Sequence, residues 1–110
     1  MRAVSPPRGG VDRRPATSGR LRIIGGRFRR RLLPVPDAPG LRPTPDRVRE
    51  TLFNWLAPLI AGSRCLDLFA GTGALGLEAA SRGADSVVLI ERAEPVAQQL
   101  RETVRLLGAT

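Results

Sequence analysis

The sequence has no histidine, no lysine and no tyrosine, and it has a single cysteine, Cys65. One cysteine cannot form an internal disulfide or a metal site built from cysteines. Without histidine the chain also lacks the usual base that activates a thiol. Cys65 lies at the head of an apolar run, so we expect it to pack as a small hydrophobic side chain. No metal site is predicted.

Long apolar runs are also absent. No run approaches the ~20 residues that a membrane-spanning helix needs. The first 20 residues are basic and proline-rich and have no apolar segment of the kind found in secretory signals. These features predict a cytoplasmic protein with no membrane partner. With 110 residues the chain is at most one small domain.

Positive charge is abundant but confined to one half of the chain. The formal net charge is +8, and all 18 basic residues are arginine. Residues 1–49 carry 13 arginines and 3 acids, whereas residues 50–110 carry 5 arginines and 7 acids. Clustered arginines attract phosphates and release counterions on binding, so the pattern predicts a polyanion-binding segment joined to a near-neutral domain. The alternative is a solvated basic tail.

The basic half divides into two segments. Residues 1–19 are rich in proline, glycine and arginine, which predicts a disordered basic arm. Residues 20–36 contain two β-like runs around Gly25 and Gly26, a pair that suits a tight hairpin. Arginine alternates with apolar residues in both runs, so one face is expected to pack on the domain while the other binds phosphate. The hairpin arginines are Arg20, Arg22, Arg27, Arg29, Arg30 and Arg31.

Residues 37–110 begin with a turn and a predicted helix. Thr44 can cap this helix, and Pro45 suits its first position. Apolar residues at helical spacing predict a buried stripe, and Pro58 is expected to end or bend the helix. The stripe consists of Val48, Leu52, Trp55, Leu56 and Leu59.

The pattern at residues 65–80 predicts a strand, a glycine loop and a helix. An apolar run broken by Asp67 precedes Gly71 and Gly73, which allow a sharp turn and a close approach to a ligand, and residues 74–80 are mostly helix formers. The N-terminus of such a helix directs unpaired N–H groups into the loop. The loop is therefore predicted to bind a nucleotide-like ligand.

Two ligand classes fit this loop. Residues 71–76 match the dinucleotide pattern G-x-G-x-x-G, and Glu91 follows Gly73 by 18 positions. However, Asp67 interrupts the apolar run four residues before Gly71, and an acid near the end of a strand suits a cation better than a pyrophosphate. Residues 86–91 predict a second strand whose final acid, Glu91, lies beside the glycine loop and can accept both ribose hydroxyls of an adenosine. In the remaining alternative neither acid binds a ligand: Asp67 only caps the loop, and Glu91 is only a solvent-exposed acid at the end of a strand.

The last predicted element is a helix that begins near Pro95 and ends before Gly108. Its buried face is expected to contain Val96, Leu100, Val104 and Leu107. Gly83 is expected to close the preceding helix in the same way.

The stretch Asp-Leu-Phe-Ala-Gly-Thr-Gly at residues 67–73 resembles motif I of Rossmann-like S-adenosylmethionine-dependent methyltransferases. Their ligand carries a sulfonium and an ammonium group, which the charge of Asp67 suits. Residues 21–33, 41–56, motif I and residues 89–92 together are similar to the bacterial 16S ribosomal RNA guanine-N2 methyltransferase family of the small subunit. This likeness extends over residues 20–110.

The resemblance implies an α/β fold: the N-terminal part of a Rossmann-like methyltransferase domain over residues 37–110, with motifs X, I and II, preceded by the basic hairpin. It implies S-adenosyl-L-methionine as cofactor and 16S ribosomal RNA as partner, within the 30S subunit or an assembly intermediate, with a monomeric full-length protein. The hairpin arginines become candidate RNA-binding residues. The implied cofactor-binding residues are Asp67, Phe69, Ala70, Gly71, Gly73, Glu91 and, in motif X, Thr44.

The family's Asp-Pro-Pro-aromatic motif, which orients the guanine amine, does not occur in the sequence. No catalytic residue is therefore predicted, and we expect the 110-residue chain to be a truncated form that is inactive alone. Two alternatives remain. One is a DNA adenine methyltransferase or another nucleic-acid methyltransferase, and the other is a non-enzymatic RNA-binding fragment.

Overall fold

The computed structural model describes residues 2–4, 17–36, 45–68 and 70–108, with the side chains of residues 2–4, 17–19 and 36 excepted. This part of the chain forms a three-stranded parallel sheet, a two-stranded antiparallel sheet and three helices. The elements are β1 (Arg2–Val4), β2 (Thr17–Arg22), β3 (Leu32–Pro36), α1 (Asp46–Ile60), β4 (Arg64–Asp67), α2 (Ala74–Ser81), β5 (Ser86–Ile90) and α3 (Glu94–Leu107).

The parallel sheet has the order β1-β5-β4. Its central strand β5 begins at the predicted residue and ends at Ile90, one residue before Glu91. Strand β4 ends at Asp67, two residues before Phe69, the predicted end of the apolar run. Asp67 pairs with Leu89 in the register between β4 and β5. Because the two strands are parallel, their carboxyl ends meet at one edge, and this edge carries the glycine loop.

Helix α2 lies directly on the sheet. Its residues Leu77, Glu78 and Ala79 are all buried. A Cβ atom at Gly76 would lie 2.0 Å from Leu89 Cδ2, so only glycine permits this approach to β5. As predicted, Gly83 follows the helix with a positive φ of 102°.

Helix α3 confirms its prediction closely. Its buried residues include the four predicted ones, Val96, Leu100, Val104 and Leu107. Gly108 caps the helix in the left-handed conformation, with φ 67°. The 3.6-residue period of this segment has a single apolar face, so the pattern identifies the buried side without ambiguity.

Helix α1 differs from its prediction in two respects. Pro45 is the N-cap residue rather than the first helical residue. Pro58 lies inside the helix, which continues to Ile60, so it does not end the helix. The predicted buried stripe is wrong: Val48, Trp55 and Leu59 are exposed, and Leu52 and Leu56 are partly buried. The buried residues are Arg49, Phe53 and Ile60. The helix is rotated toward Arg49 because the guanidinium of this residue bonds to a buried acid on α2.

The predicted tight hairpin at Gly25 and Gly26 is also wrong. Strands β2 and β3 pair from Thr17 and Pro36 to Arg22 and Leu32, and residues 23–31 connect them as a longer loop. The N–H groups of Ile24 and Gly25 bond to Glu78 of α2, so they are not used for pairing across a hairpin. The expected docking on the domain is confirmed, since Leu21, Ile23, Phe28 and Leu33 are buried in the core.

The segment predicted to be disordered contains two described pieces. Residues Arg2–Val4 form β1, which pairs in parallel with β5 at Val88–Ile90. Strand β2 begins at Thr17, three residues before the predicted start of the hairpin. The structure thus differs from the prediction at these residues, and the rest of that segment lies outside the described residues.

Candidate functional site

The glycine loop connects β4 to α2 at the carboxyl edge of the parallel sheet. Ala70 N donates a hydrogen bond of 2.9 Å to Ile90 O, and Gly73 N donates one of 2.7 Å to Ala70 O. These bonds fix the loop to the end of β5 and close a tight turn. Ala70 and Thr72 are buried, whereas Gly71 is half-exposed.

Glu91 lies beside this loop, as the strand-end argument predicts. Its Oε1 accepts a hydrogen bond of 3.0 Å from Gly71 N, and its Oε2 accepts one of 2.8 Å from Ala93 N. These bonds orient the carboxylate against the loop. A carboxylate offers about four acceptor positions, so each oxygen can take a further hydrogen bond from a ligand hydroxyl.

Gly73 has a structural role that the sequence pattern alone does not indicate. It is the N-cap of α2 with φ 84°, a conformation that favours glycine. A Cβ atom on Gly73 would lie 2.6 Å from Leu100 Cδ2 and 2.9 Å from Leu77 Cδ1. The missing side chain therefore lets α3 and α2 pack under the loop, whereas the sequence pattern predicts that the space is used by a ligand.

Asp67 is the last residue of β4 and is half-buried. It lies at the same carboxyl edge of the sheet as Glu91, because Asp67 ends β4 and Glu91 follows β5. Two other predicted cofactor residues, Phe69 and Thr44, lie outside the described residues. Residues 70–73 carry no basic side chain, so this segment offers a pyrophosphate only backbone N–H groups.

The loop at residues 23–31, here called the arginine loop, presents a dense positive charge. Arg27, Arg29, Arg30 and Arg31 of this loop are exposed, as are Arg20 and Arg22 of β2. Arg27 packs over the ring of Phe28 at 4.5 Å, and Arg31 Nη2 lies 3.4 Å from Leu106 O of α3. The sequence placed these arginines on hairpin strands, whereas the structure concentrates four of them in one turn.

A buried acid on α2, which sequence reasoning missed, holds the arginine loop. Glu78 is fully buried and accepts hydrogen bonds from Ile24 N (2.9 Å) and Gly25 N (2.8 Å). It also pairs with Arg82 at 2.9 Å and Arg49 at 3.4 Å. The available signal was an isolated acid among the apolar residues of a helix that packs on a sheet.

Two classes of site are not found in the described ranges. No group of histidine, cysteine or acidic side chains there could hold a metal ion. None of the three described helices has the length and apolar character that crossing a bilayer requires.

Comparison with known proteins gives consistent matches. Residues 21–110 match the model of a family described as conserved hypothetical protein 95. The chain is 64% identical over 92 residues to ribosomal RNA small subunit methyltransferase D of Escherichia coli K12, covering 84% of this chain and 46% of that protein. It is 54% identical over 93 residues to the protein of the same name from Haemophilus influenzae, covering 84% and 48%.

A solved structure described as a putative methyltransferase, yhhF, from Escherichia coli matches with a TM-score of 0.76 and 58% identity. That match covers 83% of this chain and 48% of the solved one. The chain thus spans about half the length of the curated relatives it matches.

Proposed function

Because this chain belongs to the family described as conserved hypothetical protein 95, together with the small-subunit ribosomal RNA methyltransferases D, we propose that the complete protein methylates 16S ribosomal RNA. The proposed acceptor is the N2 amine of a guanine, and the proposed methyl donor is S-adenosyl-L-methionine. In this proposal the described residues supply part of the cofactor pocket and a basic surface for RNA. The protein acts in the cytoplasm as a monomer on the 30S subunit or an assembly intermediate.

The observation that carries the cofactor assignment is the carboxylate of Glu91 held against the glycine loop by Gly71 N. A fixed carboxylate with spare acceptor positions suits the two ribose hydroxyls of an adenosine. Asp67 adds a negative charge at the same edge, which favours a cationic ligand over a pyrophosphate. The glycine loop and these two acids together fit S-adenosylmethionine better than a dinucleotide.

When bound, S-adenosylmethionine supplies the methyl group from its sulfonium centre. The described residues would bind and orient it: Glu91 at the ribose, Asp67 toward the cationic end, and Ala70, Gly71 and Gly73 as the loop around it. Phe69 and Thr44 complete the proposed set of contacts. No described residue is assigned a proton transfer, because in this family a separate motif orients the guanine amine.

The exposed arginines of the arginine loop, with Arg20 and Arg22, are proposed to bind the RNA backbone. Arginine donates paired hydrogen bonds to phosphate, and several guanidinium groups in one turn can contact successive phosphates. Such contacts position the RNA without reading its sequence. The choice of guanine therefore depends on residues other than these.

The decisive experiment is methyl transfer from labelled S-adenosylmethionine by the complete gene product, with 30S particles, protein-free 16S ribosomal RNA and duplex DNA offered in parallel. We expect label in RNA, and nucleoside digestion followed by mass spectrometry should identify N2-methylguanosine. Label in duplex DNA with unlabelled RNA would instead identify the runner-up, a DNA methyltransferase. Label at another RNA position would preserve the methyltransferase assignment and refute the guanine-N2 one.

The 110-residue chain itself is proposed to bind RNA without turnover. The sequence contains no Asp-Pro-Pro-aromatic motif to orient an acceptor amine. Incubating this chain with labelled cofactor and 16S ribosomal RNA should leave the RNA unlabelled, while the complete protein labels it. Label transferred by the chain alone would show that it contains a full catalytic site.

A further inference from the structure

Glu78 is the buried centre of a polar cluster that joins three elements. Its carboxylate accepts hydrogen bonds from two backbone N–H groups of the arginine loop and pairs with Arg82 of α2 and Arg49 of α1. An ionised carboxylate away from water is costly unless it is paired and hydrogen-bonded, and here both oxygens have partners. The cluster is thus a built receptor for the backbone of the arginine loop.

Ser81 extends this receptor by one helical turn. Its carbonyl oxygen accepts a hydrogen bond of 2.8 Å from Arg27 N, and its hydroxyl accepts one of 2.9 Å from Phe28 N. A Cβ atom on Gly26 would lie 1.9 Å from Ser81 O, and one on Gly25 would lie 3.0 Å from the guanidinium of Arg82. The glycine pair therefore permits the loop backbone to lie directly on α2.

Helix α2 connects this receptor to the glycine loop. Gly73 of the glycine loop caps its N-terminal end, and Ser81 is its last residue. The helix has 8 residues, which at 1.5 Å per residue gives a length of about 12 Å. The glycine loop thus joins the N-terminal end of this short, buried helix, and the arginine loop is bonded to Glu78 and Ser81 in its C-terminal half.

We propose that Glu78 is a positioning residue, which anchors the arginine loop to α2 and thereby sets its distance from the glycine loop. This inference rests on the proposed function, in which one loop binds RNA and the other binds the cofactor. RNA bound by the arginines is then held at a fixed offset from the methyl donor. A loop released from Glu78 keeps its four arginines but no longer presents them to the RNA in one arrangement.

Replacing Glu78 by glutamine distinguishes the effect of anchoring the arginine loop from the effect of net charge on RNA binding. E78Q removes one negative charge from the protein, so electrostatics alone predicts tighter binding of RNA. However, the glutamine amide turns an NH₂ group toward one of the two N–H donors of the arginine loop, which breaks part of the receptor. The positioning role therefore predicts that E78Q weakens RNA binding, whereas the change in charge alone predicts that it strengthens RNA binding.

The test measures the affinity of the complete protein for a fluorescein-labelled RNA hairpin over a range of salt concentrations. Calorimetry measures the affinity of the same variants for S-adenosylmethionine. Removing two phosphate contacts by R29A/R30A lowers the salt slope of log Kd by about 1.5. We expect E78Q to lower it by a similar amount, and the combined variant to lower it no further. Affinity for S-adenosylmethionine should stay within about twofold, because the glycine loop is at the far end of α2.

Ser81→Ala is the second variant, because it removes two hydrogen bonds to the arginine loop without leaving a buried charge unpaired. It should lower the salt slope in the same direction even where E78Q does not fold. The inference is overturned if the parent and R29A/R30A behave as expected while folded E78Q or S81A binds RNA with the parent's slope. A parent that binds neither RNA nor S-adenosylmethionine would instead refute the proposed function, so the two failures are distinct.

Discussion

At the scale of single residues, two glycines with nearly the same φ angle are constrained by different features of the structure. Gly26 has φ 79° and Gly62 has φ 77°, values that L side chains rarely adopt. A Cβ atom on Gly26 would overlap Ser81 O, whereas one on Gly62 would meet nothing within 4 Å. At Gly62, therefore, only the positive φ angle favours glycine. At Gly26 the close approach of α2 also excludes a side chain.

Comparing alanine substitutions at Gly26 and Gly62 measures the energetic effect of the close approach between Gly26 and Ser81. Gly62→Ala should cost roughly 1 kcal/mol of unfolding free energy in the complete protein, from backbone strain alone. Gly26→Ala should cost at least ~2 kcal/mol, because the loop must also move away from Ser81. Denaturant unfolding of both variants checks the difference. Equal losses at the two positions would show that the contact with Ser81 is absent in solution.

The two site carboxylates give a second prediction at this scale. Asp67→Asn and Glu91→Gln should each weaken the binding of S-adenosylmethionine by roughly 1 to 3 kcal/mol, the range for losing a charge-assisted hydrogen bond. NADH should not bind the parent. Asp85→Asn is the control, since Asp85 is exposed at the other end of β5. Calorimetry with both ligands decides: affinity for NADH with none for S-adenosylmethionine would reverse the assignment of the loop.

At the scale of elements, the arginine loop is expected to account for much of the salt dependence of RNA binding. Arg29→Ala and Arg30→Ala together should flatten the slope of log Kd against log salt by about 1.5, as expected for two lost phosphate contacts. Arg47→Ala with Arg64→Ala removes the same charge from exposed positions on α1 and β4. If this control pair flattens the slope equally, the effect belongs to net charge and the arginine loop is not a distinct contact.

The elements also show which parts of the fold the sequence determines locally. The position of β5, the buried face of α3 and the glycines that follow α2 and α3 depend on short-range rules, so they could be predicted. The turn at residues 23–31 and the orientation of α1 could not, because both depend on Glu78. Apolar periodicity treats this acid as a solvent-facing residue, whereas three elements bury it. Helix α1 is apolar on more than one side, so only this tertiary contact selects the face that is buried.

The candidate site also has features that the sequence predicts and features that it does not. Strand, acid, glycine loop and helix occur in order along the chain, and this order predicts Glu91 beside the glycine loop, where it accepts a hydrogen bond from Gly71 N. The role of Gly73 was not predictable, because it depends on Leu100, which is distant in sequence. At the level of architecture, the fold prediction is confirmed: the chain has the α/β fold of the N-terminal part of a Rossmann-like methyltransferase.

At the scale of the whole molecule, the described surface includes a large apolar area. Trp55 and Leu59 on α1 are 76% and 70% exposed, and Leu66 and Leu68, in and just after β4, are more than half exposed. An apolar groove of about 340 Å³ lies between α1, β4 and α2. Within the described residues β4 pairs on one side only, with β5, so its other edge is open. Exposed apolar patches and open edges favour association.

The 110-residue chain is therefore expected to self-associate rather than to unfold as a stable monomer. The core of the described residues is small, and the single cysteine cannot form an internal disulfide, so the free energy of unfolding should fall below the ~5 kcal/mol typical of native domains. Sedimentation velocity should show larger species as the concentration rises. Because Trp55 is the only tryptophan, its emission should shift to the blue as association covers it.

Trp55→Gln with Leu59→Gln should shift the sedimentation profile toward monomer. Leu106→Gln removes a 60% exposed leucine from α3, away from this surface, and should leave the association unchanged. A monomer with a sharp, cooperative thermal transition at all concentrations would show instead that these residues form a self-sufficient domain with a tolerated apolar surface.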